Sequence, residues 1–328
     1  MEYLLPFEQK KRSVLVRKIA ETSDKFGIYP EKRTVEQLIN FGVANIDKPA
    51  GPTSHQVSAY VQKILGINKS GHSGTLDPNV TGVLPVALEK STKIVQTLLT
   101  AGKEYVCLMH LHKEVPEYDL YKVFEKFTGK IDQLPPVKSS VKREWRERSI
   151  YYIEVLEIKG QDVLFKVGCQ AGTYIRKLVH DIGQDLKIGA HMAELRRTKA
   201  GPFSESSLVT LQDLADAFHY YKRENNEKFI RKAIQPIESA VSHLGKIWIL
   251  DTTVDSLCHG ASLAVPGIAK LETGIEKGNL IAIFTLKNEF VCYGLAVMTS
   301  KEMMSDKGLA VKIEKVVMEP GVYPRMNK

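Results

Sequence analysis

An α+β body followed by a small C-terminal β-barrel is the fold class that this sequence of 328 residues predicts, and three observations carry it. Strand-like and helix-like segments do not alternate strictly before about residue 245, which argues against a doubly wound parallel sheet. One run, Tyr105–His112, is apolar on both sides and sits among amphipathic helical stripes, as a strand buried on both faces would. Beyond Gly245 the helices give way to short β-like runs punctuated by glycine (IWIL, ASLAV, NLIAIFTL, EFVCYGLAVM, AVKIEKVVM), the texture of a small barrel.

Taken in order, residues 1 to 43 are rich in charge (KKR at 10–12, EKR at 31–33) and read as an extension wrapped over a body. From Asn45 the punctuation of NIDKPAGPTS announces a turn before a helix. Thr53 or Ser54 can cap that helix, Val57, Tyr60, Val61, Ile64 and Leu65 form its apolar stripe, and Gly66 stops it. A second helix is predicted around Lys93–Leu99. Ile153–Ile158 and Val163–Cys169 read as strands joined through Lys159-Gly160-Gln161-Asp162, so a hairpin is the simplest connection. Gly172–Leu186 turns helical with Ile175, Leu178, Val179, Ile182 and Leu186 on one stripe, and a further helix, Leu211–Tyr221, runs into the polar KRENNEK stretch. The predicted divisions are 1–43, a body at 44–245, the barrel at 246–321 and a tail at 322–328.

Lys and Arg number 46 against 38 Asp and Glu, a net charge of +8 that argues for a polyanionic partner. The four cysteines are too sparse for zinc spacing or a disulfide framework and read as small core hydrophobes. The opening MEYLLPFEQKKR lacks the apolar stretch of a secretory signal, and no run approaches a membrane span. A soluble, reducing, cytoplasmic setting is the expectation.

Residues 71–86, GHSGTLDPNVTGVLPV, fit neither period. Three glycines and two prolines fix a long loop, and loops of this length inside a compact domain tend to be functional. Asp77 is its only carboxylate, and Pro78 restricts Asp77 to extended backbone angles, so the side chain is held in a defined direction. The same Asp-Pro step equally suits the opening of a β-turn.

This loop resembles the signature of the TruB-type pseudouridine synthases, in which the Asp of GTLDP is the catalytic nucleophile. Five further segments agree in order: DKPAGPTSH (47–55), KEY (103–105), PPVKSSVKR (135–143), GTYIRKLVHDIG (172–183) and AHMAELRRTKAGPF (190–203). HGASLAVPGIAKLETGIEKGNLIAIFTL resembles a PUA RNA-binding domain. HLHKEVPEYDL after the KEY strand, and the short GVYPRMNK tail, favour the archaeal dyskerin-like branch, whose members are catalytic subunits of box H/ACA guide ribonucleoproteins. The resemblance implies a mixed, largely antiparallel synthase sheet with flanking helices, an isomerase needing no metal or cofactor, RNA partners (guide RNA, rRNA or tRNA) and small accessory proteins.

Residue by residue, the resemblance implies that Asp77 supplies the carboxylate, leaving open attack on C1′, attack on the pyrimidine or abstraction of the 2′-proton. Arg176 resembles the arginine that pairs with that aspartate and keeps it ionised. Tyr105 resembles the tyrosine that stacks on the base close to where C5 loses its proton. Tyr174 and Leu195 are expected to complete the pocket floor. Lys48, His55 and His72 are expected to touch RNA or support the loop. Lys103 of KEY, with Lys138, Lys142 and Arg143, belongs to the expected RNA-binding set. The basic stretches Lys138–Arg148 and Arg196–Lys199 would hold phosphates, whereas Lys228–Lys232 reads better as a solvated face. His110 and His112 keep a structural reading. Two alternatives stand beside the guide-dependent enzyme: a stand-alone synthase acting on the T-loop uridine of tRNA, and a non-catalytic RNA-binding scaffold.

Overall fold

The structure is a computed structural model and describes residues 3–135 and 142–325. An N-terminal arm carries a short strand, β1 (Val14–Val16), and a helix, α1 (Val35–Asn40), which Thr34 and Gln37 close with a reciprocal capping box. β2 (Gly42–Lys48) leads into α2 (Ser54–Leu65), capped in the same way by Thr53 and Gln56 and ended by Gly66 in the left-handed conformation. β3 (Ser70–His72) and β4 (Thr81–Leu88) flank the singled-out loop, and α3 (Val95–Leu99) follows. The body continues through β5 (Lys103–Leu111), α4 (Glu117–Phe127), β6 (Gly129–Gln133), β7 (Arg146–Lys159), β8 (Asp162–Cys169), α5 (Ile175–Asp185), β9 (Ala190–Ala200) and β10 (Phe203–Ser204). It closes with α6 (Leu211–Glu224), α7 (Lys228–Ala233), β11 (Ile234–Pro236) and α8 (Ile237–Ala240). The C-terminal unit holds β12 (Gly245–Ile249), α9 (Asp251–Cys258), β13 (Leu263–Ala264), β14 (Ile268–Glu272), β15 (Leu280–Phe284), β16 (Phe290–Ala296) and β17 (Leu309–Val316).

The body is one sheet in the order β11-β2-β4-β9-β5-β8-β7-β6, with β10 on β9 and β3 on β4. Its pairings are antiparallel except between β4 and β9, so it is the mixed, largely antiparallel sheet that was expected. That one parallel pair matters for function, because it sets the end of the singled-out loop (Thr81, Gly82) beside Arg196 and Arg197 of β9. At Gly82 a Cβ would stand 2.2 Å from the Arg197 carbonyl and φ is +98°, so only glycine allows this approach.

The second sheet runs β1-β14-β12-β15-β16-β17-β13. β1 belongs to it, pairing Val14–Val16 with Lys270–Glu272, so the arm is stitched to the C-terminal unit as well as laid on the body. Val43 is fully buried, and Val35 and Leu38 of α1 share a core cluster with Ala44 and Ile46. The tail is tied down at Tyr323, which is buried and donates its hydroxyl to Glu289 at 2.5 Å. α9 was not anticipated among the glycine-punctuated strands; it sends Val254, Leu257 and Cys258 into the core of this unit. All four cysteines are free and buried. No helix of the described residues is long and apolar enough to cross a membrane.

His243 lies where arm and body meet. Its ring stands edge-on to Phe7 at 5.8 Å, and its carbonyl accepts from Arg12 at 3.4 Å. Burial holds the imidazole down at about 4, and burial does the same to His72, also to about 4. The unfolded chain therefore binds more protons than the folded one between pH 6.5 and 4. Stability from these groups is complete above pH 6.5 and is lost as pH falls through 4, by up to about 3 kcal/mol for the deeply buried His243 and by less for the partly exposed His72. Melting temperatures should fall across that window, and His243→Gln should remove part of the slope. An identical slope in the variant would exclude His243 as a source.

Candidate active site

The loop between β3 and β4 is shaped by its own backbone and then clamped from three sides. The Val80 amide donates to the Asp77 carbonyl at 3.0 Å, so Asp77-Pro78-Asn79-Val80 is a β-turn. Both local readings of the Asp-Pro step therefore hold together: the turn forms, and the turn presents the side chain. Upstream, the buried Ser54 hydroxyl accepts from the Leu76 amide at 2.8 Å and lies 3.2 Å from the Leu76 carbonyl. Downstream, the Lys48 ammonium, fully buried, donates to the carbonyls of Pro49, Pro78 and Val80 at 2.8–2.9 Å. Burial lowers the pKa of Lys48, and the nearby Asp77 charge opposes that shift. Third, the Arg197 guanidinium donates to the carbonyls of Val83 (2.7 Å) and Gly74 (3.3 Å).

The Asp77 carboxylate is 54% exposed and is ion-paired through Oδ2 to Nη2 of Arg176, itself 57% exposed. Arg176 is the second residue of α5, and the helix start is fixed by an amide clamp. The Gln133 side chain accepts from the Tyr174 amide at 3.0 Å and donates to the Tyr174 carbonyl at 3.2 Å. Tyr105 projects from β5 into the same region. Burial pushes its phenol up, the Arg197 charge opposes, and the Asp77 charge adds to the rise. Leu76, Val80, Tyr105 and Ile175 belong to one apolar cluster, with Leu195 of β9 packed against it. Asp77, Arg176, Tyr105, Tyr174 and Leu195, which lie far apart along the chain, are thus drawn to one end of the β5–β9 region, around a carboxylate with an apolar floor.

Other expected residues lie differently. Of the two roles expected for Lys48, its ammonium takes loop support, spent on the carbonyls of Pro49, Pro78 and Val80. Lys103 is buried too, donating to the carbonyls of Leu98, Leu99 and Ala101, so it closes the end of α3 rather than meeting RNA. Burial brings it down to about 7. The stretch Arg196–Lys199 is not a phosphate patch. Arg196 grips Asp47 with two nitrogens (3.0 and 3.1 Å) and Glu205 with a third (2.6 Å), Arg197 is 1% exposed, and Lys199 pairs with Glu8 at 3.0 Å. The physical reason is the sheet: β9 is central, so a basic run read as surface is consumed by pairing and burial. His55 and His72 meet each other, with ring nitrogens 3.4 Å apart, at the base of the loop. Lys138 lies outside the described residues. Lys142 and Arg143 are exposed, with Lys142 3.3 Å from Glu144. Lys228 and Lys232 stand exposed, in keeping with a solvated face. His110 pairs with Asp162 at 2.7 Å and His112 with His191 at 3.1 Å.

Sequence reasoning missed Ser54 and Arg197 as loop clamps. A serine at the head of a capped helix reads as a cap, and the real cap is Thr53. Nothing local marks Arg197 as buried, since arginine is rarely inside without a partner.

Comparisons with known proteins agree with this fold. Residues 62–175 match the TruB family pseudouridylate synthase N-terminal domain, and 176–242 the tRNA pseudouridylate synthase B C-terminal domain. Residues 245–317 match the PUA domain, and 3–58 the DKCLD (NUC011) domain. The chain is 56% identical to the probable tRNA pseudouridine synthase B of Nanoarchaeum equitans, over 98% of this chain and 92% of that one. It is equally similar to the protein of that name from Pyrococcus furiosus, over 98% and 96%. Among solved structures, a chain of a Cbf5-Nop10-Gar1 complex superimposes with a TM-score of 0.94 at 57% identity, covering 99% of each chain. A chain of an H/ACA RNP bound to a substrate RNA containing 2'-deoxyuridine gives 0.92 at 55%, over 98% of this chain and 99% of that one. Identity of this degree over nearly the whole length leaves one conclusion: the chain belongs to the TruB family of pseudouridylate synthases, in the form that carries DKCLD and PUA domains.

Proposed function

We propose that this pseudouridine synthase works as the catalytic subunit of a guide-RNA-dependent H/ACA particle, with Asp77 as the reacting carboxylate. The observation that carries the reading is the Asp77–Arg176 ion pair beside the buried Tyr105, over an apolar floor that includes Leu195. Isomerising uridine breaks the N1–C1′ bond, turns the base and forms C5–C1′, with the C5 proton lost and N1 regaining one. Arg176 keeps the Asp77 carboxylate ionised and aimed through opposite charge. Tyr105 lies against the base, where stacking is worth roughly 1–3 kcal/mol and a phenol can relay the proton. Tyr174 and Leu195 limit the space in which the freed base turns.

Membership of a particle is supported by likeness to a chain solved with Nop10 and Gar1 and to one solved in an H/ACA RNP with substrate RNA. In this reading the body from about residue 44 to 245 does the chemistry. The unit at 246–321 holds an RNA helix end or a short single-stranded element by shape. Exposed Lys142 and Arg143 meet the phosphate backbone, and the setting is cytoplasmic. Guide-free action on tRNA is the second reading, favoured by the name its curated relatives carry. A scaffold without catalysis fits poorly with an intact carboxylate, guanidinium and phenol in one place.

Tritium release from 5-tritiated uridine RNA separates these readings. The purified chain with guide RNA and accessory proteins should turn over the guide-matched uridine, and a naked tRNA transcript should react more slowly. Full-rate turnover of the transcript without guide would overturn guide dependence.

A further inference from the structure

The polar KRENNEK stretch joins α6 to α7 through a turn that its asparagines fix. Asn225 ends α6 in the left-handed conformation (φ +53°), and the amides of Asn225 and Asn226 both donate to the Tyr220 carbonyl. The Asn226 side chain accepts from the Lys228 amide at 3.1 Å, and α7 begins. Ile230 and Ala233 are buried on the inner side of α7, which leaves Phe229 on the outer side, against Tyr220. The two rings stand 5.3 Å apart, and they remain 42% and 40% exposed. No leucine, isoleucine or other large aliphatic of either helix is exposed beside them. Around the rings Arg223, Lys228 and Lys232 are exposed and, among the described residues, make no ion pair, with Glu224 the one carboxylate of the stretch left unpaired. A solvated face accounts for these cations but not for a preassembled pair of exposed rings among them.

We propose that Tyr220 and Phe229 form a stacking platform for unpaired RNA bases, with Arg223, Lys228 and Lys232 taking the neighbouring phosphates. Each nucleotide brings a flat π-face and an anionic group together, which is the pairing of chemistries this patch offers. A protein partner docking by apolar burial would call for aliphatic surface, and an acidic peptide would meet the cations while leaving the ring faces bare. The turn holds the rings together before anything binds, so little ordering is needed on association. α6 is about 21 Å long, and its first turn borders a cavity lined also by Lys48 and Thr81, which flank the catalytic loop. Tyr220 lies about 15 Å along the helix from that end, so one folded RNA can reach both places. The inference goes beyond the proposed function and rests on its RNA partner.

The test irradiates the full chain with an H/ACA guide RNA carrying 4-thiouridine, maps the adducts by peptide mass spectrometry and measures filter binding of the same RNA. An adduct is expected within residues 219–232. Phe229→Ala should weaken binding by about fivefold to a hundredfold, and Phe229→Trp, which keeps a π-face, should bind like the parent. Lys228→Gln should lower the salt slope by about 0.7 to 0.9. A fully paired RNA duplex should bind Phe229→Ala and the parent equally. Unchanged affinity for the guide RNA, or an equal loss for the duplex, would overturn the platform. So would polyglutamate displacing the RNA as well as oligouridine does, which would assign the patch to acidic peptides. Should Phe229→Ala not fold, the parent still decides, because the absence of any adduct in 219–232 counts against the proposal. A parent chain that binds no RNA would overturn the proposed function as well, whereas parental binding by Phe229→Ala overturns the platform alone.

Discussion

Asp77→Asn is expected to abolish tritium release, by at least about a thousandfold in single turnover, while leaving the melting temperature within a degree or two of the parent. The two halves of that expectation come from different observations. Activity should vanish because an amide cannot serve as nucleophile or base at the ribose or the pyrimidine. Stability should survive because the carboxylate is half exposed, its ion pair with Arg176 is equally exposed, and exposed pairs contribute little to folding. The turn does not depend on the side chain either, since the Val80 amide bonds the Asp77 carbonyl. The exposure is itself informative. In the proposed mechanism the apolar floor is supplied by the protein, and the other wall is left for the extruded nucleotide, whose unstacking costs a few kcal/mol. Retained release by Asp77→Asn would end the assignment of this carboxylate.

How far this site could be read in advance follows from the range of the interactions that make it. Signals carried within a few residues were legible: the Thr53 cap, Gly66 as the stop of α2, the hairpin through Gly160, and the stripe of α5 that puts Ile175 inside and Arg176 outside. The motif loop stood out because its glycines and prolines obey no period. Features set by partners remote in sequence were not legible. β1 is three residues long and exists because Val14–Val16 meet a strand about 250 positions away. β9 was not read as a strand at all, because its polar run Glu194–Lys199 breaks alternation. Arg196 and Lys199 are tolerated there because Asp47, Glu205, Glu104 and Glu8 come from elsewhere to meet them. Lysine is exposed by default, so the sequence points Lys103 toward RNA and leaves Lys48 between RNA and loop support, and only the tertiary structure reveals that each ammonium faces three carbonyls.

Lys48→Met should damage the enzyme in the way Asp77→Asn does not, lowering both stability and activity. The substitution keeps most of the side-chain volume, so a cavity is not the issue. It removes the donor from three carbonyls, and each left unsatisfied costs roughly 1–3 kcal/mol where it is buried. Part of that loss is offset, because the parent must desolvate an ammonium that has no ion-pair partner among the described residues. The net expected loss is about 2–3 kcal/mol in urea denaturation. The activity loss has a separate origin. Lys48 ties Pro78, which follows Asp77 in the turn, and Val80, which closes it, to the end of β2. Without that tie the turn itself keeps Ser54 upstream and the Gly51 amide on the Pro78 carbonyl, while Arg197 clamps only the flanking Gly74 and Val83. A displacement of about 1 Å at a reacting group is enough for a hundredfold loss, so tritium release should fall by about that much even at temperatures where Lys48→Met is fully folded. A folded Lys48→Met with parental turnover would mean that the Asp-Pro turn holds its aim unaided, and the clamp would then be a matter of stability alone.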